Sequence, residues 1–274
     1  MDKLVEAAKP ARKADRKSIA SWDKAKRDGE RRAVITAYDY PFARLAQEAG
    51  IDGILVGDSL GMTVHGQRDT LHVSLEQIVY HTGMVARGAP DCLIMADLPF
   101  GSFETGPAQA FASAAELLKA GADIIKIEGG AAMVETVAFL SARAVPVCAH
   151  IGLTPQHVRQ FGGFKRQGKT EDAAARLTGD AIALAEAGAR MVLMEAIPSA
   201  LGTEITRRVP VPTIGIGAGG GTDAQVLVLH DVLNLTGGYV PGFAKVYLDG
   251  AGLIRDAIGR FAGEVRSQVF PPES

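Results

Sequence analysis

With 274 residues, 47% of them hydrophobic, the chain can bury a large core, and because a single α/β barrel takes about 250 residues, one catalytic domain is the simplest count. A formal net charge of −2 gives no global electrostatic reason to bind nucleic acid or a membrane. The two cysteines, Cys92 and Cys148, sit in apolar runs with no CxxC pair or zinc set, no apolar run reaches ~18 residues, and the N-terminal stretch lacks a signal-peptide core, so the expectation is a cytoplasmic protein with reduced thiols.

Charge is uneven along the chain: residues 1–32 hold eleven Lys/Arg against six Asp/Glu, which leaves the remainder acidic. That stretch reads as a charged N-terminal extension, a helix packed under the following domain or against a neighbouring subunit. Trp22 is its only aromatic, which weighs against an RNA-binding tail. The catalytic domain is expected over 33–274.

Ala33–Ala37 reads as the first strand, with a helix from Phe42 to Ala49 that stops at Gly50. Ile51 to Val56 forms the second and delivers Gly57-Asp58-Ser59 to its end. The long connection from Met62 to Val73, carrying His65, Arg68 and His72, is placed to cover a site. Ser74 and Gln77 have capping-box spacing at the head of a helix that runs to Arg87. A third strand ends at Asp97, Pro107 opens a helix that stops at Gly121, and a fourth strand, Ile124–Glu128, follows at once. A fifth ends at His150 and leads into the glycine- and lysine-rich segment Phe161–Thr170, which suits an anion or a lid. A helix over Glu171–Ala187 precedes a sixth strand ending at Glu195. Pro212–Ile216 is read as the seventh, running into Gly217-Ala218-Gly219-Gly220-Gly221. A helix near Asp223–Leu233, a last strand near Phe243–Tyr247 and an amphipathic segment over Leu253–Val269 complete the expectation.

Strands alternating with alanine-rich helices predict a parallel sheet covered by helices, here a closed (β/α)8 TIM barrel with an N-terminal helical extension. In that fold catalytic groups come from the C-terminal ends of several strands. Asp58, Asp97, Lys126, Glu128, His150 and Glu195 all stand at such ends, and Lys126 and Glu128, two residues apart, face the same way. Taken singly, Asp58 reads as readily as a helix cap and Lys126 with Glu128 as an inward ion pair; the repetition at strand after strand favours a shared site.

Several carboxylates with no cysteine suit a hard, oxygen-loving cation such as Mg2+, with Asp58 and Asp97 as direct ligands and Glu128 beside them. Such an ion polarises a carbonyl and acidifies the neighbouring carbon. Lys126 would then face the oxygen of an enolate and Glu195 would move a proton. An α-keto acid fits, because its carboxylate and keto oxygens chelate one metal.

The segments Ile35–Tyr40, Val56–Met62, Tyr80–Thr82, Arg87–Pro90, Ala96–Phe100, Lys126–Gly130, Gly152–Gln156 and Gly215–Gly219, in this order, resemble the ketopantoate hydroxymethyltransferase family. The resemblance runs from about residue 33 to residue 270. It implies a barrel of the phosphoenolpyruvate/pyruvate superfamily that moves a hydroxymethyl group from 5,10-methylenetetrahydrofolate to 3-methyl-2-oxobutanoate. That transfer is the first committed step towards pantothenate and coenzyme A. Carried across by motif, Asp58, Asp97 and Glu128 match the metal-site acids, Asp58, Ser59, Asp97 and Lys126 the keto-acid site, and Glu195 the proton acceptor. A homo-oligomer, commonly a decamer, is also implied.

The chain departs from the family's usual pattern at Ala149, Ala224 and Gly242, none of which is in the metal and keto-acid set. Three readings compete: a phosphate-binding barrel using the glycines after the seventh strand, another carbon–carbon lyase or synthase of the superfamily, and a non-enzymatic scaffold. The intact strand-end set argues against the last.

Overall fold

The computed structural model describes residues 16–272, which form two compact units, 16–226 and 227–272, taken separately below. In the first unit strands and helices alternate. The strands are β1 (Arg32–Thr36), β2 (Gly53–Val56), β3 (Leu93–Asp97), β4 (Ile124–Glu128), β5 (Val147–Gly152), β6 (Met191–Glu195), β7 (Thr213–Ile216) and β8 (Ala224–Leu227), whose last residue reaches the second unit. Pairing is parallel and in sequence order, and the sheet closes, which bears out the expected (β/α)8 barrel.

The strands read as unbroken apolar runs because both faces are covered. Alternation sorts their side chains into two cores. Leu55, Leu93, Met95, Ile124, Cys148, Met191, Leu193 and Ile214 fill the barrel interior. Ile54, Val56, Ile94, Ile125, Ile127, Ala149, Ile151, Val192 and Met194 face the surrounding helices. These are α2 (Tyr40–Glu48), α3 (Leu75–Gly88), α4 (Pro107–Ala120), α5 (Val134–Ser141), α6 (Glu171–Glu186) and α7 (Ser199–Arg208). Ser74 and Gln77 cap α3 reciprocally, Pro107 opens α4, and Gly121 ends it in the left-handed conformation.

Beneath the barrel lies α1 (Ile19–Asp28), within the charged extension expected over 1–32; residues 1–15 of that extension lie outside the described residues. Ser18 caps α1, Gly29 ends it, and Trp22 and Ala25 form its buried face. Trp22 is 1% exposed and belongs to the interior core, close enough to Gly53 that a β-carbon there would meet its ring. The basic residues of this segment find the acids that precede the strands. Arg16 pairs with Asp123 at 2.7 Å, Lys17 with Asp52 at 3.5 Å, and Lys26 with Asp223 at 2.8 Å. From residue 16 onward, part of the segment's positive charge is therefore matched by acids of the barrel.

The last quarter corrects the sequence reading. Residues 224–227 are strand, not helix; only Leu229–Val232 makes a helical turn, and 243–247 form neither strand nor helix. Asp223, expected near the start of a helix, instead accepts through its carboxylate from the Thr213 backbone N–H and hydroxyl and from Lys26, tying β7, β8 and α1 together. With Ala224 and Val226 alternating into the interior, the eighth position is filled by the segment that immediately follows the glycines.

In the second unit, α8 (Gly250–Arg266) is capped by the Asp249 side chain and leaves Leu253, Ile254, Ile258, Phe261 and Val265 in solvent. Among the described residues no helix is long and apolar enough to cross a membrane.

Truncating a buried aromatic typically costs about 3–5 kcal/mol. Trp22→Ala should lose stability of that order in denaturant unfolding, with the activity per folded molecule retained, because the ring fills the end of the barrel opposite the strand tips.

Candidate active site

The interior residues at the C-terminal ends of β3, β4, β5 and β6 are polar where those below them are apolar. Asp97, Lys126, Glu128 and His150 are each at most 3% exposed, and Glu195 is partly exposed. Asp58 lies in the turn after β2, also buried. Gly57 precedes it on the inward parity; a β-carbon there would press on Ser59 Oγ and approach Asp97, so glycine leaves the acids room.

Lys126 is the hub. Its Nζ lies 3.2 Å from Asp97 Oδ1, 3.3 Å from Glu128 Oε1 and 3.3 Å from His150 Nδ1. Asp97 Oδ2 accepts the Asp58 backbone N–H at 3.0 Å. Glu128 Oε1 is also 3.1 Å from His150 Nδ1, and His150 Nε2 lies 3.4 Å from Glu195 Oε2. The imidazole thus stands between two carboxylates. Ser59 Oγ is 2.8 Å from the Tyr38 hydroxyl, while His81 Nδ1 meets the Tyr38 carbonyl oxygen at 2.5 Å.

Burial and charge act against each other here. Burial and then the neighbouring carboxylates Asp97 and Glu128 push the Asp58 carboxyl well above its usual range, and burial also raises Asp97 despite Lys126. Burial opposes charge on Glu128 too, but Lys126 and His150 prevail and hold it down to about 2. Burial alone would neutralise Lys126; the three surrounding carboxylates outweigh it and raise its pKa. Burial and Lys126 press against a charged imidazole at His150, and Glu128 and Glu195 override them, so its pKa is raised.

Among the described residues no three His, Cys, Asp or Glu side chains form a ready-made metal cage. The donor set nevertheless fits a hard divalent cation. Asp58 and Asp97 are adjacent buried acids whose pKa values are raised chiefly by burial, and the single Lys126 ammonium, 3.2 Å from Asp97 Oδ1, stands against three carboxylates. Mg2+ is commonly bound by one or two carboxylates, with water and substrate oxygens completing the shell.

All six residues singled out from the sequence, Asp58, Ser59, Asp97, Lys126, Glu128 and Glu195, lie at this end of the barrel. Gln156 entered the sequence reading only as part of a motif, and His150 only as a strand-end polar group. The side-chain amide of Gln156 donates to Asp58 Oδ2 and to the Leu98 carbonyl oxygen, both at 2.9 Å, and its backbone N–H donates to Glu128 Oε2 at 3.0 Å. A contact between residues 98 apart in the chain leaves no periodic signal. His150 was legible by parity with Cys148 and could have been grouped with the acids on that ground.

Above the mouth, Arg159 pairs with Asp69 at 3.2 Å and joins the turn after β5 to the long connection after β2. Two of the glycines after β7, Gly219 and Gly221, have a packing reason: β-carbons there would collide with Ser199 and Thr203 of α7. That accounts for them without a bound phosphate.

The family model for ketopantoate hydroxymethyltransferase matches residues 16–273. A protein of Acidithiobacillus ferrooxidans named 3-methyl-2-oxobutanoate hydroxymethyltransferase is 61% identical over 93% of this chain and 98% of its own length. A protein of the same name from Escherichia coli O157:H7 is 53% identical over 93% of this chain and 97% of its own. Among solved structures, phosphonopyruvate hydrolase in complex with oxalate and Mg2+ superposes with a TM-score of 0.63 at 14% identity, covering 90% of this chain and 87% of that one. A 2,3-dimethylmalate lyase gives 0.59 at 18% identity, covering 93% and 90%. At such identities these two attest the shared fold alone. The family match and the high identity over nearly the whole length are of another order, and the chain belongs to the ketopantoate hydroxymethyltransferase family.

Proposed function

We propose that this chain transfers a hydroxymethyl group from 5,10-methylenetetrahydrofolate to 3-methyl-2-oxobutanoate, giving 2-dehydropantoate for pantothenate and coenzyme A synthesis. What carries the reading is the crowding of Asp58, Asp97 and Glu128 around Lys126 at one barrel mouth, in a chain of this family. Asp58 and Asp97 would hold Mg2+, with Glu128 beside them. The cation's contribution is to polarise the keto carbonyl and so acidify the adjacent C–H.

The protein's own groups do the rest. Lys126, kept cationic by its three acids, faces the oxygen on which negative charge grows. Glu195 is the most exposed of the set and takes the C3 proton. His150 holds one of its oxygens from the side away from solvent. Ser59, fixed by Tyr38, presents a hydroxyl to the keto acid. Apolar side chains fill the barrel below and keep water from that side of the site.

A homo-oligomer, a decamer by the family resemblance, is part of the proposal. The apolar stripe Leu253, Ile258, Phe261 and Val265 on α8 supports it, since monomeric proteins rarely leave such a patch in water. Two buried free thiols support a reducing, cytoplasmic setting.

Exhaustive chelation should abolish folate-dependent ketopantoate formation, and added Mg2+ should restore it; full turnover in chelated protein would exclude the cation's role. Lys126→Ala should lower kcat by roughly 10²–10³-fold, the scale of a lost charge-stabilising donor, with a smaller change in KM for the keto acid. The reverse pattern would make Lys126 a substrate anchor. Glu195→Gln should remove solvent deuterium exchange at C3 of 3-methyl-2-oxobutanoate together with product formation, both by roughly 10²–10⁴-fold. Exchange that persists without product would move Glu195 to the folate.

A further inference from the structure

Gln156 reaches two acids of the mouth, Asp58 through its side-chain amide and Glu128 through its backbone N–H, and local backbone geometry explains how it gets there. Gly152 ends β5 at φ +91°, where a β-carbon would strike the Glu195 carbonyl oxygen. Leu153 N–H then donates to that same oxygen at 2.9 Å, pressing the turn onto β6. Thr154 is extended, as expected before a proline, and Pro155 opens a single 3-10 turn, Pro155–His157. The turn carries Gln156 back over the barrel axis, 5% exposed, with its amide between β2 and β3.

Its hydrogen-bond inventory is uneven. Nε2 donates to Asp58 Oδ2 and to Leu98 O; Oε1 is buried without a partner in the protein. The amide orientation follows from these contacts, since both neighbours are acceptors and only the NH2 can serve them. Asp58 therefore has one carboxylate oxygen committed to a neutral donor. Its other oxygen is set in direction by the same contact.

We propose that Gln156 is a positioning residue for the cation: by occupying Asp58 Oδ2 it fixes the carboxylate so that Oδ1 is presented as a single-oxygen ligand beside Asp97. The unpartnered Gln156 Oε1 serves as the acceptor for a water of the cation's shell. The inference rests on the reading of Asp58 as a cation-holding acid. A neutral amide suits the task better than a second cation, because it orients Asp58 without competing for its charge. Groups that orient metal ligands typically change metal affinity or activity by roughly 10–100-fold when removed.

The test is binding without turnover. Mn2+ is titrated into chelator-stripped full-length protein with no keto acid or folate present, and free Mn2+ is read by electron paramagnetic resonance. Wild type should bind. Gln156→Met, which keeps the length without the amide, and Gln156→Asn, which keeps the amide but falls short of Asp58, should each bind roughly 10–100-fold more weakly at a temperature well below their unfolding midpoints. Having two variants of different size guards against one failing to fold. A lowered unfolding midpoint with wild-type Mn2+ affinity would reduce Gln156 to packing and overturn the inference while leaving the proposed function standing. A wild-type protein that binds no Mn2+ would remove the cation from Asp58 and take both readings down.

Discussion

The site depends on one constraint: a lysine ammonium kept charged inside a dry barrel. Burial of Lys126 by itself favours the neutral amine, and the reversal comes from three carboxylates, two of which stand within 3.3 Å of its nitrogen. Those acids are in turn forced together by the backbone, since β2, β3 and β4 are neighbours and a parallel barrel brings their ends to one rim. The surplus negative charge that Lys126 leaves unmatched is what the proposed divalent cation would offset. Lys126 and such an ion are complementary, each relieving a different part of the same crowding. Removal of one acid therefore changes the state of every other group in the cluster.

The rest of the fold supplies the geometry for that crowding. Alternation along each strand keeps the interior apolar up to the last residue or two, where the pattern turns polar at Asp97, Glu128, His150 and Glu195. The same alternation gives the outward residues to the helices. Small residues do the remaining work of close approach. Gly57 makes space beside Asp97, and Gly219 and Gly221 let the chain lie against α7.

Much of this was legible in the chain itself, for identifiable reasons. β3, β4 and β6 end where expected, at Asp97, Glu128 and Glu195, since each short, largely apolar run closes on an acid. The closing segment was misread because Ala224–Leu227 carries no intrinsic mark of a strand. Its state is decided by pairing with β7 and by the grip of Thr213 and Lys26 on Asp223. The positions of the strand-end acids followed from period-two parity. The contacts of Gln156 and Tyr38 did not, because both lie beyond strand ends, where side-chain direction is set by turns and by partners distant in sequence.

The helix under the barrel has an implication for assembly. Trp22 belongs to one interior core with residues from Val34 to Val226, to which all eight strands contribute. α1 thus shares its core with the strand that closes the barrel, which couples the docking of this helix to barrel closure.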